Sequence, residues 1–170
     1  ILFDTRQIYI GVIAHDSDPS GIRATELRRD DSLGNDDIFE LIVDTFHDHR
    51  NGYLFRINPL GTLYDATITN EGQTTNSNWD EQWEAVTQIT DEGWIAEIAI
   101  PFRTLRYPRT QTQSWGMNFQ RNIRRRNETA FWAPLPRQYN LYRVSMAGQL
   151  AGVTAPIGFT GNVQLTPYVV

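Results

Sequence analysis

The stretch "VDTFHDHRNGYLFRINPLG", residues 43–61, decides how this chain is read. It holds a strand end, a polar loop and a second strand. With "DDIFELIVDTF" (36–46) leading into it, the whole forms an antiparallel hairpin. Pairing Asp44 with Gly52 sets Glu40 opposite Arg56. Both side chains then point to one side of the sheet, together with Ile38, Ile42, Leu54 and Asn58, and a slip of one residue would separate them. Two readings of the pair follow. Spacing alone favours a cross-strand ion pair, of a kind worth ~0.2–1 kcal/mol. The alternative is a polar island of Glu40, Arg56 and Asn58, offering planar donors and acceptors to a hydroxyl-rich ligand. In the loop, His47 and His49 would need a third and a fourth ligand to hold zinc, and nothing brings His15 to them. The loop reads as a solvated hairpin tip.

Period-two alternation extends outward from this hairpin, and helical periodicity is scarce. "QIYIGVIAHD" is a strand ending in the acidic turn "HDSDPSG", and "IRATELRRDDSLGN" holds a loop or one helical turn. "TLYDATIT" is a further strand, followed by the polar run "NEGQTTNSNWDE". "WEAVTQIT" and "WIAEIAIP" flank "DEG", a short turn whose glycine suits positive φ. "FRTLRYPR" is a short helix or turn, and "SWGMNFQRNIRRR" with "ETAFWAP" makes another antiparallel pair. Many short strands and little helix predict an all-β fold, an antiparallel β-sandwich. Residues 1–153 form this domain. Residues 154–170 read as a linker and a candidate strand, "IGFTGNVQLTPYVV", whose alternation suits an ordinary half-buried strand or the first strand of an outer-membrane barrel.

The 170 residues suit one domain with a two-layer core, and 40% hydrophobic with 12% aromatic residues argues against disorder. A net charge of −5 gives no reason to expect nucleic acid as a partner. There is no cysteine, which excludes disulfides and thiolate metal sites. All 15 basic residues are arginine, a composition better explained by genome bias or a salty habitat than by function. No apolar run approaches the length of a membrane helix. The chain opens directly on a strand pattern, as a piece of a longer protein would.

Other candidate chemistry is sparser. Asp16 and Asp18 at a strand end, with the further aspartates of "RRDDSLGNDD", offer oxygens of the kind calcium takes, although a simple Asx turn explains "DSDP" as well. In "RNIRRRN", strand geometry would put Arg124 and Arg126 on one face, and in so acidic a chain the cluster is expected to pair with the aspartate-rich loops. Trp83, Trp94 and Trp115 alternate as core residues do, which leaves Trp79, in the polar loop, as the tryptophan expected at the surface. Nucleophile elbows, phosphate loops and dinucleotide fingerprints are missing, nothing pairs His15 with Met117 or Met146 for haem, and no enzyme activity is expected.

"IYIGVIAHDSDPS", "DDIFELIVDTF", "GYLFRINPLG", "WEAVTQITDEGWIAEIAIPF", "WGMNFQRNIRRRNETAFWAP" and "GQLAGV", together spanning residues 8–153, resemble a family-9-type carbohydrate-binding module. More closely, the set is similar to bacterial proteins in which such a module precedes a predicted outer-membrane β-barrel. The resemblance implies a distorted jelly-roll sandwich without catalysis, binding polysaccharide or oligosaccharide at the cell envelope or outside the cell, with structural calcium. It places the family's sugar-binding glutamate and arginine on Glu40 and Arg56, and the asparagine of "FRxN" on Asn58. Tyr139 and Tyr142 of "RQYNLYR" stand nearest the second stacking aromatic, and Trp79 is a further candidate platform. Leu33-Gly34 replaces the family tryptophan ahead of the glutamate strand. That departure supports a second expectation, of a structural or interaction domain with a degenerate sugar site attached to a barrel.

Overall fold

A computed structural model describes residues 1–156; the candidate strand at 157–170 lies outside the described residues. Among the described residues, eleven strands form two antiparallel sheets. The smaller runs β1 (Leu2–Phe3), β2 (Gln7–His15), β8 (Gly93–Pro101), β7 (Glu84–Thr90). The larger runs β10 (Glu128–Phe131), β9 (Thr112–Ile123), β3 (Ile38–Asp44), β4 (Gly52–Ile57), β5 (Leu63–Thr69), β6 (Thr74–Asn76). β11 (Gly148–Thr154) pairs with the first half of β9, on the edge that β10 continues, because β3 holds the other edge. The four 3-10 turns among the described residues are Pro19–Gly21, Phe102–Thr104, Arg124–Arg126 and Val144–Met146. The antiparallel sandwich expected from the alternation is therefore the fold.

Alternation also decides which side chains meet. Ile8, Ile10, Trp94, Ala96, Ile98 and Ile100 of the small sheet face Leu41, Val43, Phe55, Ile57, Trp115 and Met117 of the large one in a single core. Burial of each larger side chain contributes roughly 1.5–3 kcal/mol. Trp83 joins this core beside Phe55, as expected. Trp79 is only partly exposed: its ring packs against the core, 5.0 Å from that of Tyr53 and 5.9 Å from that of Phe55. The polar loop folds back and uses the indole to seal the core's flank. The exposed tryptophan is Trp132, at 60%.

The large sheet is buried on its outer face too, over part of its area. Ile42, Leu54, Ala66 and Ile68 are covered there by Leu141 and Val144 from the segment joining β10 to β11. This second cover explains why "IFELIVD" is apolar on both faces, unlike β7, which is half exposed.

Turns carry the remaining local logic. At the β3–β4 tip, the buried Asp44 carboxylate accepts hydrogen bonds from the Asp48 and His49 amides, and His47 and His49 both adopt left-handed backbone. Their rings lie 4.4 Å apart on a polar tip, and no group of three or more histidine and acidic side chains among the described residues is arranged to hold a metal. At the start of β8, Gly93 has φ +139°, and a Cβ there would come 2.1 Å from the Ala14 carbonyl oxygen. β9 stops at Ile123, so Arg124 and Arg126 sit on a 3-10 turn rather than sharing a strand face. Asn127, in left-handed conformation, closes that turn.

Candidate binding site

The register read from the hairpin is the register observed: Glu40 pairs with Arg56, and on its other side with Gln120 of β9. One row therefore crosses the outer face of the large sheet as Tyr64, Arg56, Glu40, Gln120 and Phe131. Beside it run two more rows, the apolar Ala66–Leu54–Ile42 ending at Asn118, and Ile38–Asn122–Thr129. The first is under the cover described above; the second is open. Between cover and opening, Arg56, Glu40 and Gln120 of the central row form one wall of a cleft of about 160 Å³, lined also by Ser32, Leu33, Ile38, Asn122 and Thr129.

Arg56 organises this wall. Its Nε and Nη2 both donate to Glu40 Oε1, at 3.0 and 2.6 Å. Nη2 also donates to the Tyr142 hydroxyl at 3.1 Å, and Nη1 to the Ser32 carbonyl at 2.8 Å. The guanidinium carbon lies 4.8 Å from the centroid of the Tyr64 ring, a cation–π contact. A guanidinium has five N–H donors, so one on Nη1 is left for a ligand. Gln120 donates to Asn122 at 3.1 Å and extends the polar surface along β9.

Electrostatics follow burial. Desolvation pushes the Glu40 carboxyl above its ordinary value, with the Arg56 charge opposing it. Desolvation also works against the Arg56 charge, but the Glu40 carboxylate, with Tyr142 and Tyr64, more than offsets it and holds the guanidinium protonated. Burial, aided by Glu40's charge, raises the Tyr142 hydroxyl, which stays neutral and serves as the acceptor for Arg56. The result is a fixed array of a carboxylate, a guanidinium, amides and hydroxyls, all groups that hydrogen-bond to hydroxyls.

The structure brings Glu40, Arg56 and Tyr142 together and leaves the other expected residues elsewhere. Asn58 is fully buried beyond the end of β4. It donates to the Glu26 carbonyl and Asp36 Oδ2, and its oxygen accepts from the Leu60 and Thr62 amides. It holds a turn. Tyr139 lies under Arg143, whose guanidinium carbon is 4.7 Å from its ring centroid, away from the cleft. Trp79 belongs to the core side. Gln120 and Asn122 were not singled out from sequence; their signal was the alternation of "NFQRN", which puts both on the face opposite Met117.

The residues considered for calcium do not fit that ion. Calcium needs six to eight oxygens at 2.3–2.6 Å. Asp16 is instead buried against arginine: Oδ1 accepts from Arg125 Nη2 and from the Asp18 amide, and Oδ2 faces Arg121 Nη2 at 3.6 Å. Asp18 Oδ1 accepts from Ser20, and its other oxygen lies 3.8 Å from Arg125 Nε.

No family model and no curated protein matches the sequence. Solved structures do. A candidate carbohydrate-binding protein from Bacteroides uniformis superposes with a TM-score of 0.63 at 15% identity, covering 76% of this chain and 67% of that one. A family-9 carbohydrate-binding module from Caldicellulosiruptor kristjanssonii, solved with cellotriose, gives 0.58 at 16% identity over 98% of this chain and 78% of that one. The same family's module from that organism solved with glucose gives 0.53 at 15%, over 97% and 77%. The likeness is one of fold: a sandwich like that of family-9 carbohydrate-binding modules.

Proposed function

We propose that this chain is a non-catalytic carbohydrate-binding module that takes a neutral saccharide in the cleft beside Glu40 and Arg56. The carrying observation is the row Arg56–Glu40–Gln120, which presents polar groups at fixed spacing along one wall of an open cleft. The fold shared with modules solved on cellotriose and glucose supports this reading. Charge supports a neutral ligand, since Arg56 and Glu40 pair with each other and the other charges lining the cleft, Asp36, Arg124 and Glu128, are of both signs. The cleft is smaller than the ~300–1,000 Å³ of drug-sized sites. One sugar ring, at a chain end or as a branch, is the fitting size. We place the module in a larger cell-envelope protein, exported to the outer membrane, the periplasm or the cell surface. The sequence resemblance to modules that precede outer-membrane barrels supports this context.

A second reading rests on one specific observation: the cleft is lined by no aromatic ring, so the stacking that usually holds sugars is missing. On this reading the chain is a structural or interaction domain that retains Glu40 and Arg56 for each other. Titration calorimetry against glucose, cello-oligosaccharides and xylan separates the two. The module reading expects millimolar or tighter binding that Gln120→Ala weakens severalfold and Arg56→Ala abolishes. The absence of heat with every saccharide at millimolar concentration would leave the interaction domain.

A further inference from the structure

A β-sandwich has no hydrogen-bond ladder between its two sheets, and this one is cross-linked at one end by charge. Arg121 lies on β9 of the large sheet, on the face that looks toward the small one. Its Nη1 donates to the carbonyl of His15, the last residue of β2 in the small sheet, at 2.5 Å. Arg125, from the 3-10 turn after β9, adds the contacts to both Asp16 oxygen and the Asp18 carbonyl, the latter at 3.5 Å. The gathered groups are a buried carboxylate, an exposed carboxylate and two backbone carbonyls of one tight loop. Oxygens of these types are what a divalent cation collects, and two guanidiniums carry the same charge of +2.

A glycine marks the place as built. Gly21, in the 3-10 turn that closes the loop, has no positive φ to explain it. A Cβ there would lie 2.7 Å from Arg125 Cδ, 2.8 Å from Arg125 Nε and 2.7 Å from Asp18 Oδ2. The missing side chain is the space through which Arg125 crosses the loop. Asp37 anchors the other side, accepting the Arg124 amide at 2.8 Å and lying within electrostatic reach of Arg121 and Asp16.

We propose that Arg121 and Arg125 take the role of a bound divalent cation in this loop, so that the tie between the sheets is made by protein alone and needs no calcium. The inference does not depend on what the cleft binds. Thermal unfolding of wild type and of Arg125→Gln, Arg121→Gln and the double variant, each in excess chelator and in millimolar calcium chloride, tests it. The wild-type midpoint should differ by less than ~1 °C between the two conditions, since a ligand that does not bind cannot stabilise. Arg125→Gln should lower the midpoint by more than ~4 °C, because it leaves Asp16 buried with its charge poorly matched. In the double variant the freed carboxylates of Asp16, Asp18 and Asp37 should make the midpoint rise with calcium. A wild-type midpoint that rises with calcium would overturn the proposal, as would single glutamine variants as stable as wild type or a folded double variant indifferent to calcium. Should the double variant not fold, the wild-type and single-variant arms decide.

Discussion

Two buried arginine–carboxylate groups stand in different places in this sandwich, and place alone separates what they do. Arg56 and Glu40 lie in mid-sheet on an outer face, where the covering segment stops short and leaves a cleft. Arg121, Arg125 and Asp16 lie between the sheets at one end, buried against one another, with Asp16 Oδ2 and Arg121 Nη2 held in an ion pair and not in a hydrogen bond. The chemistry is the same, a nearly buried carboxylate held by guanidinium. One group leaves a donor and neighbouring amides for an outside molecule; the other consumes its charge in holding two sheets together. Residue types therefore say little about binding until the surface they open on is known.

The contrast is broken most severely at Arg56. Arg56→Ala leaves Glu40 charged and buried without a partner, a change that costs about 3–5 kcal/mol, to be read as a lower urea midpoint together with lost saccharide binding. Arg125→Gln should also destabilise, yet leave saccharide affinity within about twofold once the protein is folded. A fold-intact Arg125 variant with lost affinity would show that the two groups are coupled.

The pH dependence sharpens the comparison at Glu40. Burial holds its carboxyl above the ordinary 4.5, so on acidification the folded chain takes up this proton before the unfolded chain does. The contribution to stability is complete below pH 4.5 and is lost as pH rises through the folded value. Relative to Glu40→Gln, wild type should therefore lose stability on going from pH 4.5 toward neutrality, measured by urea unfolding across that range. The opposite slope would mean that Arg56 outweighs desolvation.

The smallest effect belongs to Tyr142. Tyr142→Phe removes the acceptor of one Arg56 hydrogen bond and keeps the ring, for a loss of about 1 kcal/mol in unfolding free energy. Saccharide affinity should fall less than with Gln120→Ala, because the hydroxyl braces Arg56 from the covered side.

Much of this was legible from residue order. Alternation with period two sets which side chains share a face, and a hairpin with a defined turn sets the register; both are local. That is why the sandwich, the Glu40–Arg56 pairing and the core positions of Trp83, Trp94 and Trp115 followed from the sequence. The pairing of "RNIRRRN" with aspartates also followed, from charge alone, although not its partners or its 3-10 geometry.

What tertiary structure decided was everything that depends on residues distant in sequence. Gln120 reaches Glu40 only because β9 docks beside β3, and Tyr142 reaches Arg56 only because the 132–147 segment folds over the sheet. Asn58 kept its place in the motif but lies past the strand end, where a turn engages both ends of its amide. Trp79 looked exposed because its neighbours are polar, and the loop's return path packs it partly against the core. Asp16 and Asp18 read as cation ligands because carboxylates in a turn are a local signal. The two arginines that answer them come from more than a hundred residues away. The sequence by itself determined the sheets and the polar row's central pair. Only the tertiary structure decided which charges would meet a ligand and which would meet each other, because burial and access are properties of the assembled surface.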